Sequence, residues 1–152
     1  TLQDCLGPSG FYDRRGDDVV LLVHGLTGTP AEMRHVGKSL MRRGCSVACP
    51  QLAGHCASEG DLKRSTWQEW YGSVERTFEA LKARHERVFV SGLSMGALIA
   101  LKLAEQKGER VSGLGLLSTT FFYDGWNMPQ LRRKFLLPVV LHTPLKHFMS
   151  WE

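Results

Sequence analysis

Residues 88–97 read Val-Phe-Val-Ser-Gly-Leu-Ser-Met-Gly-Ala: an apolar β-branched run, a serine bracketed by two glycines, and then an alanine- and leucine-rich stretch. Gly-x-Ser-x-Gly alone is a weak signal, but a strand, a sharp turn and a helix in immediate succession give it a structural meaning. The turn forces strained backbone angles on Ser94 and brings neighbouring chain close on both sides, where Gly92 and Gly96 carry no side chain to collide. So placed, the Ser94 hydroxyl stands above the carboxyl edge of a sheet at a helix N-terminus, whose dipole favours developing negative charge. The pattern is that of a nucleophilic serine.

Working outward, apolar runs recur at 19–23, 46–49, 88–91 and 111–117, with helical patterns between them. Continuous runs of this kind, separated by helices, predict an α/β fold with a parallel sheet covered on both faces. The first helix is expected to start at Thr29-Pro30-Ala31-Glu32, with threonine as N-cap and glutamate closing a capping box, to bury Met33, Val36 and Leu40, and to end at Gly44. In the second, from Ser65 onward, Trp67, Trp70, Tyr71, Val74, Phe78 and Leu81 share a face and read as core. The third runs from Met95 to Lys107, with Ala97, Leu98, Ala100, Leu101 and Ala104 largely buried. After Leu117 the pattern turns aromatic and is broken by Pro129, Pro138 and Pro144.

A second motif, Leu22-Val23-His24-Gly25-Leu26-Thr27-Gly28, also joins a strand to a helix. Acyl transfer needs two donors converging on an oxyanion. The Met95 amide supplies one, and the Leu26 amide in the glycine-rich loop supplies the other. For both to meet, the first and third of these strands must be neighbours, which predicts the spatial order 46–49, 19–23, 88–91, 111–117, all parallel, with the crevice at the switch point. His24 reads as a loop-packing residue rather than a general base; His35, His55 and His85 read as helix, loop and helix-end residues.

With 152 residues, 43% of them hydrophobic, the chain has the size of one ordinary domain. The net charge of +4 comes from scattered cations, so nucleic acid is not an expected partner. No apolar run reaches the roughly 18 residues of a membrane span, and the reading is cytoplasmic. Thr1 is not an initiator methionine, which suggests a trimmed start. Cys45 and Cys49, four positions apart, would lie about 13 Å apart along a strand, too far for a disulfide. Free thiols are the better reading of all four cysteines than a metal site of Cys45, Cys49, His55 and Cys56, which lacks the paired short spacings of zinc ligands.

The residues His24-Gly25-Leu26-Thr27-Gly28, Gly54-His55 and Gly92-Leu93-Ser94-Met95-Gly96 stand in an order and spacing that resembles the α/β-hydrolase superfamily, within it the small bacterial carboxylesterases and monoacylglycerol-lipase-like serine hydrolases. The resemblance covers roughly residues 10–120. It implies an α/β-hydrolase-type sheet incomplete at its C-terminal side, with a core over 1–118 and the start of a cap over 119–152. It also implies Ser94 as nucleophile, Leu26 and Met95 amides as oxyanion hole, and a triad acid and histidine beyond the cap, outside these residues. Cys56 stands where such enzymes usually have glycine. Local stand-ins would be Asp124, which otherwise takes a cap or turn role, and His142 or His147. The implied activity is hydrolysis of small carboxylic esters with apolar acyl groups, favoured by the aromatic residues Phe121, Phe122, Tyr123 and Trp126, through an acyl-enzyme and without cofactor or metal. The alternatives are another acyl hydrolase, such as a thioesterase or lysophospholipase, or a non-catalytic truncated or pseudo-hydrolase domain.

Overall fold

Val19–Val23 is a run of five apolar residues, and in the structure, a computed structural model that describes residues 1–119, it forms the central strand β2, buried along its whole length. Around it lie β3 (Ser46–Cys49), β4 (Val88–Leu93) and β5 (Gly113–Leu117), in the spatial order β3-β2-β4-β5 and all mutually parallel. This is the order expected from the two loops. The reversal falls between β2 and β4, which run side by side from Val19 opposite Val88 to Val23 opposite Gly92.

One further strand lies outside that expectation. Phe11–Asp13 forms β1, pairing antiparallel with β3 (Phe11 opposite Cys49) and making the sheet mixed rather than wholly parallel. Three residues, Phe-Tyr-Asp, are too few to show a period, and an edge strand of this length is set by its neighbour rather than by its own pattern. At the far side, the strand expected from Val111 begins only at Gly113, because residues 108–110 form a 3-10 turn.

Alternation along β2 sorts the helices. Val19, Leu21 and Val23 face a core shared with α1 (Leu2–Leu6), α4 (Trp67–Lys82) and α5 (Met95–Lys107), whose contributions include Leu6, Phe78, Leu81, Ala100 and Leu103. Val20 and Leu22 face the opposite core, with Met33, Val47 and the partly buried Val36 and Leu40 of α2 (Arg34–Arg42). Burying each such Val or Leu contributes about 1.5–3 kcal/mol, so two-sided coverage is what stabilises an all-apolar strand.

The helices correct the expectation in places. α4 starts as expected, with a capping box between Thr66 and Glu69, but Trp67 is 55% exposed because it sits on the first turn, before the helix settles onto the sheet. On α5 the buried face is Gly96, Ala97, Ile99, Ala100 and Leu103, while Leu98 and Leu101 stay more than a third exposed. A short α3 (Glu59–Arg64), capped by Ser58 and Asp61, adds a helix that no apolar period announces. The four cysteines are free thiols.

Candidate active site

The β4–α5 junction places Ser94 at φ 55°, ψ −117°, in the left-handed half of backbone space that a residue with a side chain enters only at a cost. Local contacts compensate. The Ser94 amide donates to the Leu117 carbonyl (2.9 Å) and its carbonyl accepts from the Ala97 amide (3.0 Å), so the turn is anchored to β5 and to the first turn of α5. A Cβ at Gly96 would lie 2.3 Å from the Val23 carbonyl oxygen, and one at Gly92 would lie 2.1 Å from the Gly96 carbonyl oxygen. Both positions therefore require glycine, for the reason the sequence suggested. Ser94 itself is exposed, and Met95 begins α5 half-buried against the larger core.

The loop after β2 comes up beside this turn: a Cβ built on Gly25 would be 3.9 Å from that of Ser94 and 3.7 Å from the Leu93 carbonyl oxygen. The first and third apolar strands thus bring Leu26 and Ser94 to one edge of the sheet. Leu26 is exposed, so its position is set by the polar contacts around it.

Those contacts come from side chains to which the sequence pattern gives other roles. Glu32 closes no capping box; Thr29 makes no side-chain cap bond, and the chain enters α2 through a 3-10 turn at Pro30–Met33. The Glu32 carboxylate instead accepts from the Gly25 amide (2.7 Å), an orphan donor that lies close because Gly28 has no Cβ to fill the space between. His24 is wholly buried. Its Nε2 faces the Leu52 amide (3.3 Å), which can only donate, so the proton sits on Nδ1 and is given to the Gly25 carbonyl (3.0 Å). Burial pushes the His24 pKa down to about 4, the Gly25 hydrogen bond opposing and the His55 charge assisting. A neutral ring with both nitrogens engaged packs the loop, as expected, and is not a base.

His55 is also buried, its ring edge-on to His24 (5.0 Å between centroids) and to Trp70 (5.5 Å). Its Nε2 lies 2.5 Å from the Leu26 carbonyl oxygen and its Nδ1 3.0 Å from that of Ala53. Its residue pattern reads as a loop, and the resemblance includes the Gly54-His55 pair without giving the ring a role; Gly54, at φ 71°, is the available sign of a tight turn that buries it. His85 spends its nitrogens on the Tyr12 hydroxyl and the Asp17 carbonyl. Among the described residues these three buried histidines are therefore committed away from Ser94. Phe121, Phe122, Tyr123, Trp126, Asp124, His142 and His147 lie outside the described residues.

Comparison with known proteins agrees with this geometry. The family model described as serine aminopeptidase, S33, matches residues 14–147. A thermostable monoacylglycerol lipase of Bacillus sp. (strain H-257) is 43% identical over 99 residues, and a carboxylesterase of Bacillus subtilis (strain 168) is 36% identical over 97. These alignments take in 65% and 63% of the chain, which spans only 40% and 39% of the two relatives. Among solved structures, a metagenome-derived lipolytic enzyme of the LipS and LipT study superposes with TM-score 0.73 at 29% identity, over 84% of this chain and 51% of that one. A Paleococcus ferrophilus monoacylglycerol lipase, at 21% identity and TM-score 0.68 over 90% of this chain and 51% of its own, shares the fold. By sheet order, by the turn at Ser94 and by a family match that takes in nearly the whole sequence, the chain belongs to the serine aminopeptidase S33 family of α/β-hydrolases.

Proposed function

We propose that this chain carries the nucleophile and the oxyanion hole of a serine hydrolase that cleaves carboxylic esters. The observation that carries the reading is the left-handed Ser94 at the head of α5 with the Gly25–Leu26 loop beside it. The relatives named as a monoacylglycerol lipase and a carboxylesterase support esters as the substrate class. The Ser94 Oγ attacks the ester carbonyl while its proton passes to a base outside the described residues. The resulting oxyanion accepts hydrogen bonds from the Leu26 and Met95 amides, collapse breaks the ester C–O bond, and the alcohol leaves with the proton. Water then hydrolyses the acyl-enzyme and restores the Ser94 hydroxyl. The chemistry calls for no cofactor.

The core of this enzyme is assigned to residues 1–118 and the start of a cap to 119–152, with Phe121 and Phe122 contacting an apolar acyl group. Four free thiols fit a reducing, cytoplasmic setting. The test is reaction of the full-length protein with a fluorophosphonate followed by peptide mapping. Modification at Ser94 is expected, together with a loss of ester turnover on the order of 10⁴-fold or more in Ser94→Ala. Equal labelling of Ser94→Ala would sink the proposal.

A further inference from the structure

The amide assigned to the oxyanion belongs to an exposed residue, so something other than its own packing must aim it. Leu26 lies between two peptide planes. In the first, Gly25–Leu26, the carbonyl accepts from His24 Nδ1 (3.0 Å) and from the Gly28 amide (3.2 Å). Because a trans peptide holds N–H opposite to C=O, fixing that carbonyl also fixes the direction of the Leu26 N–H. In the second plane, Leu26–Thr27, the carbonyl meets His55 Nε2 at 2.5 Å. With both planes held, φ and ψ of Leu26 have no remaining freedom.

The His55 ring is held in turn. It is 2% exposed and set edge-on between His24 and Trp70. The Trp70 Nε1 donates to Ser65 Oγ (2.8 Å), and that serine fills the space a Cβ on Gly54 would need, its Oγ being 2.5 Å from where that atom would sit. A line of contact therefore runs from the N-terminal end of α4 through Trp70 and His55 to the Leu26 carbonyl. His24 cannot supply a proton to it, since its own is committed to Gly25. Both His55 nitrogens face carbonyl oxygens, which only accept; a neutral ring carries one N–H, and the shorter contact, at Nε2, assigns it to the Leu26 carbonyl.

We propose that His55 is a positioning residue for the oxyanion hole: its Nε2–H holds the Leu26 carbonyl and, together with His24 on the preceding plane, aims the Leu26 amide at the developing oxyanion. This rests on the ester-hydrolase reading above. His55 touches no reacting atom, and its contribution appears only when negative charge forms on the substrate.

The experiment compares His55→Phe, which keeps a flat ring between His24 and Trp70 but donates nothing, with His55→Gln, whose side-chain amide reaches the Nε2 position. In the full-length protein, His55→Phe is expected to lower kcat on the order of 10- to 100-fold, less than the 10²–10³ that accompanies loss of an oxyanion donor itself, with KM within about twofold. His55→Gln is expected to recover most of that loss. Nitrogen-15 NMR of the unsubstituted protein is expected to show a proton on His55 Nε2, a readout independent of how either variant folds. A deprotonated Nε2, full kcat in His55→Phe, or equal losses in folded Phe and Gln variants would overturn the inference. Ser94→Ala that kept its activity would overturn the hydrolase reading and this role with it, whereas an inactive Ser94→Ala beside a fully active His55→Phe overturns this role alone.

Discussion

Cys56 adopts φ 61°, one of three described non-glycine residues in the left-handed region. It is exposed, so nothing packed around its thiol offsets the strain. The cost of such a conformation for a residue with a Cβ is about 1–2 kcal/mol, and glycine avoids it while giving up about 0.5–1 kcal/mol of unfolded-state entropy. Cys56→Gly is therefore expected to stabilise the fold by about 0.5–1 kcal/mol, read as a rise of about 1–4 °C in the thermal midpoint. Cys56→Ala serves as control: it removes the thiol but keeps the Cβ, and a matching rise there would show that φ is not the cause. Ser94 is strained in the same way, but there the side chain is the point of the turn. Residue by residue, the sequence is most readable where a function demands a rare combination. Gly92 and Gly96 declare themselves because a Cβ at either would meet backbone, and Ser94 because a residue with a side chain holds the strained turn between them. The contacts of Glu32 and His55 do not, since a carboxylate reaching back seven residues and a ring crossing to another loop leave no local pattern.

Among the elements, the meeting of β2, β4 and α5 sets the site. α5 comes so near the end of β2 that a Cβ on Gly96 would stand 2.3 Å from the Val23 carbonyl oxygen and 2.5 Å from that of His24. Both are backbone atoms at the last turn of a buried strand, and neither can swing aside as a side chain would. Gly96→Ala must therefore push the helix from the sheet, and is expected to cost about 1–3 kcal/mol or more. The check is the urea midpoint, with Gly72→Ala at a half-buried position of α4 as a comparison: there the nearest atom is the flexible end of Arg76, 3.2 Å away, and alanine favours the helix. An equal midpoint for Gly96→Ala and the unsubstituted protein would mean that α5 and β2 are not in this contact. The same proximity explains why the order of the four parallel strands is legible in the amino-acid sequence. Two loops proposed to serve one oxyanion have to be neighbours, whereas β1 and α3 serve no such constraint and their few residues carry no period.

At the scale of the molecule, His24 joins what is otherwise spread along the sequence. It follows β2 directly, receives the Leu52 amide from the segment after β3, donates within the Gly25 loop, and touches His55, which rests on α4 through Trp70. All of these contacts require the neutral ring, because a proton on Nε2 would face the Leu52 N–H. The folded pKa of about 4 stands below the ordinary value of 6.5, chiefly through burial. Between those values the unfolded chain binds a proton that the folded one refuses, so stability is fully present above about pH 6.5 and declines as the pH falls towards 4. Over that interval the loss amounts to about 3 kcal/mol, a large share of a small domain's total. Acidic groups lose their share lower down: Glu79, held near 2 mainly by the Arg110 guanidinium and then by Lys107, gives up its contribution only as the pH drops from about 4.5 towards 2. Unfolding free energies measured at pH 7, 5.5 and 4.5 are thus expected to fall across a range where Glu79 stays ionised. His24→Asn, which offers a donor to the Gly25 carbonyl and takes up no proton, is expected to start from a lower value at pH 7 and to change little down to pH 4.5. If the variant kept the full decline, the acid sensitivity would lie in some other group. If the unsubstituted protein showed none, His24 would not be held neutral between the Leu52 amide and the Gly25 carbonyl.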